Sequence, residues 1–178
     1  MIFACIGAQG VGKSEVIKEL RNMGYISSDG LSRPLIRAGL YESMEKEKFQ
    51  VLLNDLTISH HTPFLHLNYP VFFTRSILDC IAYGIVNKLD REKKWLKEGL
   101  EWYEKNRDNY RFIYFPIEFE IKEDKERVAD KQYQKEVDEE CVNILRETNT
   151  YFLSVSGSVE DRVESILRYV DISLERNK

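Results

Sequence analysis

Short apolar runs alternate along the chain with longer stretches of helical spacing. Runs of strand length fall at residues 1–6, 69–74, 111–115 and 150–155, and a weaker one lies in "GYISSD" at 24–29. Each has the length and composition of a buried strand, and each is followed by a longer, mostly helical segment. Parallel strands need crossover connections, so the alternation predicts an α/β fold: a doubly wound parallel sheet of about five strands, covered by helices on both faces.

After the first run, "SEVIKELRNMG" sets Val16, Ile17, Leu20 and Met23 at helical spacing and stops at Gly24, so that the second strand begins at Tyr25. Within 34–61, Phe49, Leu52, Leu53, Leu56 and His60 share one helical face, and Pro63 ends that helix. Residues 117–131, "IEFEIKEDKERVADK", are charge-dense and lack a sustained apolar period, as a flap or a solvated connection does. Near the C-terminus, Val163, Ile166, Leu167 and Val170 repeat the helical spacing behind Ser158, a cap with Asp161 three residues later.

The 178 residues fit a single domain spanning 1–178. With 43% hydrophobic and 31% charged residues the composition is that of a globular protein. A net charge of -4, from 26 basic and 30 acidic side chains mixed along the chain, excludes a strong uniform positive field for nucleic acid but leaves room for a local basic groove. Cys5, Cys80 and Cys141 have no paired spacing, which fits buried thiols in a reducing compartment. "MIFACIG" is too short for a signal-peptide core or a membrane span, and no later apolar run approaches spanning length, so the expected location is the cytoplasm, or that of a host if the protein is viral. His60, His61 and His66 lack the spacing of a metal site. Most of Phe49, Phe64, Tyr69, Phe72 and Phe73 belong to a core.

The strongest chemical signal is "GAQGVGKS", Gly7, Ala8, Gln9, Gly10, Val11, Gly12, Lys13 and Ser14, which fits the pattern G-x-x-x-x-G-K-S between an apolar strand and an amphipathic helix. Glycines let successive N–H groups approach phosphate oxygens, and the helix N-terminus adds its positive dipole end. Lys13 is placed to bridge terminal phosphates, and the Ser14 hydroxyl to hold a magnesium ion, so ATP with Mg2+ is the expected cofactor pair. Such a loop does not by itself separate a kinase from a hydrolytic switch.

A second stretch, "TRSILDCIAY" at 74–83, follows the apolar run at 69–74. Together with the phosphate loop, the order of these features over nearly the whole chain resembles the small P-loop kinases of the thymidylate kinase and nicotinamide riboside kinase type, including kinase-like ATPases common in bacteriophages. That family carries a pattern like "DRSxxDxxAY"; Arg75, Ser76, Asp79 and Tyr83 agree with it, while Thr74 replaces the acid. The resemblance implies that Arg75, with Asp79 beside it, reaches the acceptor or the transferring phosphate, a task suited to the planar guanidinium. An ordinary Arg75–Asp79 helix pair accounts for the same spacing.

In "SDGLSRP", residues 28–34, the resemblance turns Asp29 and Arg33 toward the acceptor, with Asp29 as general base or ligand of a magnesium-bound water; an Asp-Gly turn explains the stretch equally well. Residues 117–131 resemble the family's short lid, with Arg127 closing over the phosphates, against the alternative of a solvated charged face. "SVSGSVEDRV", residues 154–163, resembles the loop near the adenine, so that Ser156, Gly157 and Arg162 touch the base, although helix capping explains Ser158 and Gly157 as well. Implied acceptors are a nucleoside, a deoxynucleoside monophosphate or a hydroxymethylated pyrimidine, including one within DNA, bound by a monomer or homodimer. The alternative is a P-loop ATPase acting as a switch or interaction module without an acceptor, a reading that Thr74 favours.

Overall fold

The computed structural model describes residues 1–89, 93–119 and 130–175. The chain runs β1 (Ile2–Ile6), α1 (Lys13–Asn22), β2 (Ile26–Ser28), α2 (Ser32–Arg37), α3 (Leu40–Ser43), α4 (Lys46–His61), β3 (Val71–Phe73), α5 (Ile77–Val86), α6 (Lys94–Asn106), β4 (Tyr110–Tyr114), α7 (Lys131–Glu147), β5 (Phe152–Ser154) and α8 (Val159–Glu175). The five strands form one sheet in the order β2-β3-β1-β4-β5, parallel throughout. This is the doubly wound α/β sheet that the alternating pattern predicts.

Every residue of β1 is buried, as a central strand covered on both faces requires. Its Ile2 sits in register with Val71 on one side and Tyr110 on the other. The chain thus leaves β1 between strands reached in opposite directions, and at such a switch point the C-terminal ends of the strands open a crevice for ligands. Helix α1 packs on α8, while α5 packs on α4, α6 and α7. One main core unites the sheet with these helices; a smaller cluster of Phe49, Leu53 and Cys80 is covered by Leu31, Leu35, Ile36, Leu40 and Met44 from the α2–α3 segment.

The expected face of the 34–61 helix is corrected in two respects. The stretch breaks into α2, α3 and α4, and within α4 the buried residues are Phe49, Gln50, Leu53, Asn54, Thr57 and His61, whereas Leu52, Leu56 and His60 are half-buried. Counting leucines misplaces the face because α4 packs on both α5 and α6, and polar side chains turn inward where partners exist. Thr57 Oγ1 meets Cys80 Sγ at 3.5 Å, and His61 Nδ1 meets the Tyr110 hydroxyl at 2.7 Å. Burial, with a smaller contribution from His60, lowers the His61 pKa to about 3. Cys5, Cys80 and Cys141 are buried free thiols.

Candidate active site

The phosphate loop follows β1 directly. Gly7 has φ 137°, and a Cβ there would lie 2.5 Å from the carbonyl oxygen of Phe115. Gly12 caps α1 in the left-handed region at φ 89°, where a Cβ would lie 3.0 Å from the Arg162 guanidinium. Only glycine meets both demands, and the path they permit leaves the first turn of α1 facing the crevice with Ser14 exposed. Lys13 is 7% exposed and donates to the carbonyls of Gly7 and Ala8, each at 2.5 Å.

Arg75 stands past β3, the strand beside β1. Its Nη1 donates to Asp79 Oδ1 at 3.3 Å, its Nη2 to the Tyr83 hydroxyl at 3.3 Å, and the guanidinium lies 4.7 Å above the Tyr83 ring. Asp79, 1% exposed, serves two purposes. Its Oδ2 accepts from the Ser76 amide at 3.0 Å and the Ser76 hydroxyl at 3.1 Å, closing a capping box on α5, while Oδ1 holds Arg75. The helix pair read from the Arg75–Asp79 spacing is present, and its Asp79 also closes the cap of α5. Burial and the Arg75 charge lower the Lys13 pKa to about 8, opposed by Asp79. Arg75 past β3 thus acts on the titration of Lys13 at the start of α1, and both act on that of the buried Asp79.

Asp29 lies farther out. Its side chain is 64% exposed and pairs with Arg21 at 3.2 Å. It also borders a small crevice with Gly30, Leu31, Thr57, His60, Phe73 and Arg75, and Gly30 rests on the Arg75 stem so closely that a Cβ there would meet Arg75 Cγ at 2.7 Å. Arg33 is half-buried on α2. Thr74 is buried, and its amide donates to the Ser28 carbonyl at 3.2 Å. Arg127 lies outside the described residues, as do Glu123, Asp124 and Glu126.

Arg162, 2% exposed, spends its donors on the protein: Nη1 on the Val11 carbonyl at 2.6 Å, Nε on the Gly157 carbonyl at 3.0 Å and Nη2 on Glu118 at 2.9 Å, between the rings of Phe115 and Phe119. Glu118 also accepts from the Gly157 amide at 2.9 Å; that bond and Arg162 hold its carboxyl below the usual range. Arg162 thus ties the phosphate loop to the β5–α8 turn and to the root of the 117–131 segment. Sequence reasoning gives it a nucleotide contact and misses this bracing, which depends on residues brought together from three separate loops. It also misses Gln134, whose Nε2 donates to the Gln9 carbonyl from α7 at 2.8 Å, and the hydrogen bond from the Tyr114 hydroxyl of β4 to Asp138 at 2.8 Å. Gln134 and Asp138 stand among the charged residues of α7, where no local pattern marks them as inward. His60 lines the crevice and meets Ser28 Oγ at 3.1 Å. Among the described residues no group of three or more His, Cys, Asp or Glu is arranged to hold a metal.

A parallel 2-3-1-4-5 sheet with a glycine-rich phosphate loop after its central strand defines the P-loop kinase fold. The chain belongs to the AAA domain family, matched over residues 2–162. No curated protein matches it in sequence. Similar solved structures include the deoxyadenosine kinase of M. mycoides with bound dCMP and dCDP, at 15% identity and TM-score 0.68, covering 97% of this chain and 100% of that one. The thymidylate kinase of Candida albicans is 15% identical at TM-score 0.69, covering 96% and 91%. The shikimate kinase of Aquifex aeolicus is 21% identical at TM-score 0.58, covering 99% and 98%. At these identities the likeness concerns the fold.

Proposed function

We propose that the protein is a cytoplasmic ATP-dependent kinase that transfers the terminal phosphate of ATP to a nucleoside, a deoxynucleoside monophosphate or a hydroxymethylated pyrimidine, free or within DNA. The observation that carries this reading is the convergence of Lys13 and Arg75. Two cations close enough for one to depress the pKa of the other are stabilised by an anion of more than one charge. A triphosphate and the phosphoryl group leaving it meet that need. The solved kinases of this fold that act on nucleosides and nucleotides support the acceptor class.

The loop residues fit ATP and magnesium. Gly7 and Gly12 leave space that a Cβ would fill, Lys13 reaches the cradle, and the exposed Ser14 hydroxyl offers an oxygen to a magnesium ion. Magnesium supplies charge neutralisation between phosphates when bound. Lys13 leaves the Gly7 and Ala8 carbonyls to hold terminal phosphate oxygens. Arg75, kept in place by Asp79 and Tyr83, stabilises charge on the transferring group. Asp29, released from Arg21, takes the acceptor hydroxyl proton, and Arg33 on α2 completes the acceptor side.

A second reading, an ATPase switch without an acceptor, is favoured by Thr74, which puts a hydroxyl where a strand-end acid organises magnesium-bound water. ATP turnover with and without nucleosides, nucleotides and hydroxymethyluracil DNA separates the two: phosphorylated product supports the kinase, and unchanged turnover with free phosphate alone supports the switch.

A further inference from the structure

Gly30, in the turn after β2, passes so close to Arg75 that no side chain fits between them. The pairing of β2 with β3 sets this approach. Ser28 is level with Phe73, and the Thr74 amide extends the ladder past the strand ends by donating to the Ser28 carbonyl at 3.2 Å. Continued by two residues, the same register brings Gly30 beside Arg75. A Cβ on Gly30 would lie 2.7 Å from Arg75 Cγ, 3.6 Å from Arg75 Cβ and 3.4 Å from Thr74 Oγ1. Gly30 is not one of the glycines with a positive φ, so the demand at this position is for space and not for a backbone angle.

Both sides of the contact are held. At the end of β2, Ser28 Oγ meets His60 Nε2 at 3.1 Å, and the His60 ring stands edge-on to Phe73 at 5.3 Å. From α1, Arg21 donates to Ser27 Oγ at 2.9 Å and to Asp29 at 3.2 Å. On the other side the Arg75 stem is pinned at its far end, where the guanidinium bonds Asp79 and the Tyr83 hydroxyl at 3.3 Å each and lies over the Tyr83 ring. A methyl group inserted between two held partners is relieved by moving the less rigid one, which is the side chain and not the paired backbone. We propose that Gly30 is a positioning residue for phosphoryl transfer: the bare backbone of the β2–α2 turn seats the Arg75 stem and so fixes where the guanidinium meets the transferring group. Asp29, Gly30 and Arg75 border one crevice, so the turn that faces the acceptor also places the cation that faces the phosphate. This inference rests on the kinase reading of Arg75 above and deepens it with a residue outside both motifs.

The test uses Gly30→Ala in the full chain, with two readouts. In the first, kcat for transfer of labelled phosphate to the acceptor should fall by about tenfold or more, because a displaced guanidinium no longer meets the transition state. Affinity for a non-hydrolysable ATP analogue, measured by calorimetry, should stay within about twofold of wild type, since the phosphate loop is built on β1 and α1. The second readout is thermal unfolding. Gly30→Ala should lower the melting temperature by about 2 to 8 °C in the wild-type background, but by less than about 1 °C in an Arg75→Ala background, where the Cγ it strikes is gone. A Gly30→Ala chain that does not fold, beside a double variant that does, supports the seat equally. Wild-type kcat in Gly30→Ala would overturn the inference, as would equal losses of melting temperature in the two backgrounds. A loss of analogue affinity as large as the loss of kcat would overturn it too, because general damage gives that result. Failure of the kinase reading is told apart by the wild-type protein, which would then label no acceptor, while the unfolding comparison still decides whether Gly30 seats Arg75.

Discussion

Replacing Asp79 by alanine removes two things at once, and their sizes follow from the geometry. The capping box on α5 loses its acceptor for the Ser76 amide, a cost of about 1 kcal/mol. Arg75 loses its carboxylate. Breaking a fully buried pair from one side costs about 3 to 5 kcal/mol, but the Arg75 side chain is 26% exposed and keeps Tyr83, so about 1 to 2 kcal/mol is the reasonable share. The sum, about 2 to 3 kcal/mol, lowers the melting temperature by roughly 4 to 12 °C for a domain of this size. Thermal unfolding followed by circular dichroism measures it. The activity consequence is separate: Asp79 opposes the depression of Lys13, so its loss moves the Lys13 pKa further below about 8, and ATP turnover at neutral pH should fall more than in an Asp29→Ala variant corrected for stability. A melting temperature within about 1 °C of wild type would refute the claim that Asp79 both caps α5 and holds Arg75.

Two further outcomes follow. Lys13 must be charged to hold phosphate, so kcat/KM for ATP should fall as pH rises through about 8, and bound nucleotide, which favours the charged form, should move the decline in kcat to higher pH; a profile flat to pH 9.5 would contradict the role of Lys13. Arg162→Ala leaves Glu118 and the Val11 and Gly157 carbonyls without their shared donor and should cost about 3 kcal/mol or more in denaturant unfolding, while a loss below about 1 kcal/mol would show that the brace is dispensable.

The sheet was legible because four of its strands lie in short apolar runs in a chain that otherwise reads as helix, while β2, Ile-Ser-Ser at the sheet edge, gave a weaker signal, and "GAQGVGKS" was legible because the chemistry of phosphate binding requires its glycines at fixed positions. Arg75 and Asp79 could be paired from their spacing alone, and so could Ser158 and Asp161, where the Ser158 hydroxyl and amide both donate to Asp161. What escaped depends on residues distant in sequence. Arg162 meets Val11 across 151 positions and Gln134 meets Gln9 across 125, and no local pattern announces either. The inward polar face of α4 escaped for a different reason: Thr57 and His61 are buried because Cys80 and Tyr110 receive them, and polarity by itself placed them outside.

The central claim is transfer to an acceptor, and the most direct measurement follows labelled terminal phosphate from ATP in the presence of nucleosides, deoxynucleoside monophosphates and hydroxymethyluracil DNA. The account predicts label on at least one of these acceptors, formed by the wild-type protein and lost in a folded Lys13→Ala variant. Label appearing only as free phosphate, at a rate that no acceptor changes, would contradict it.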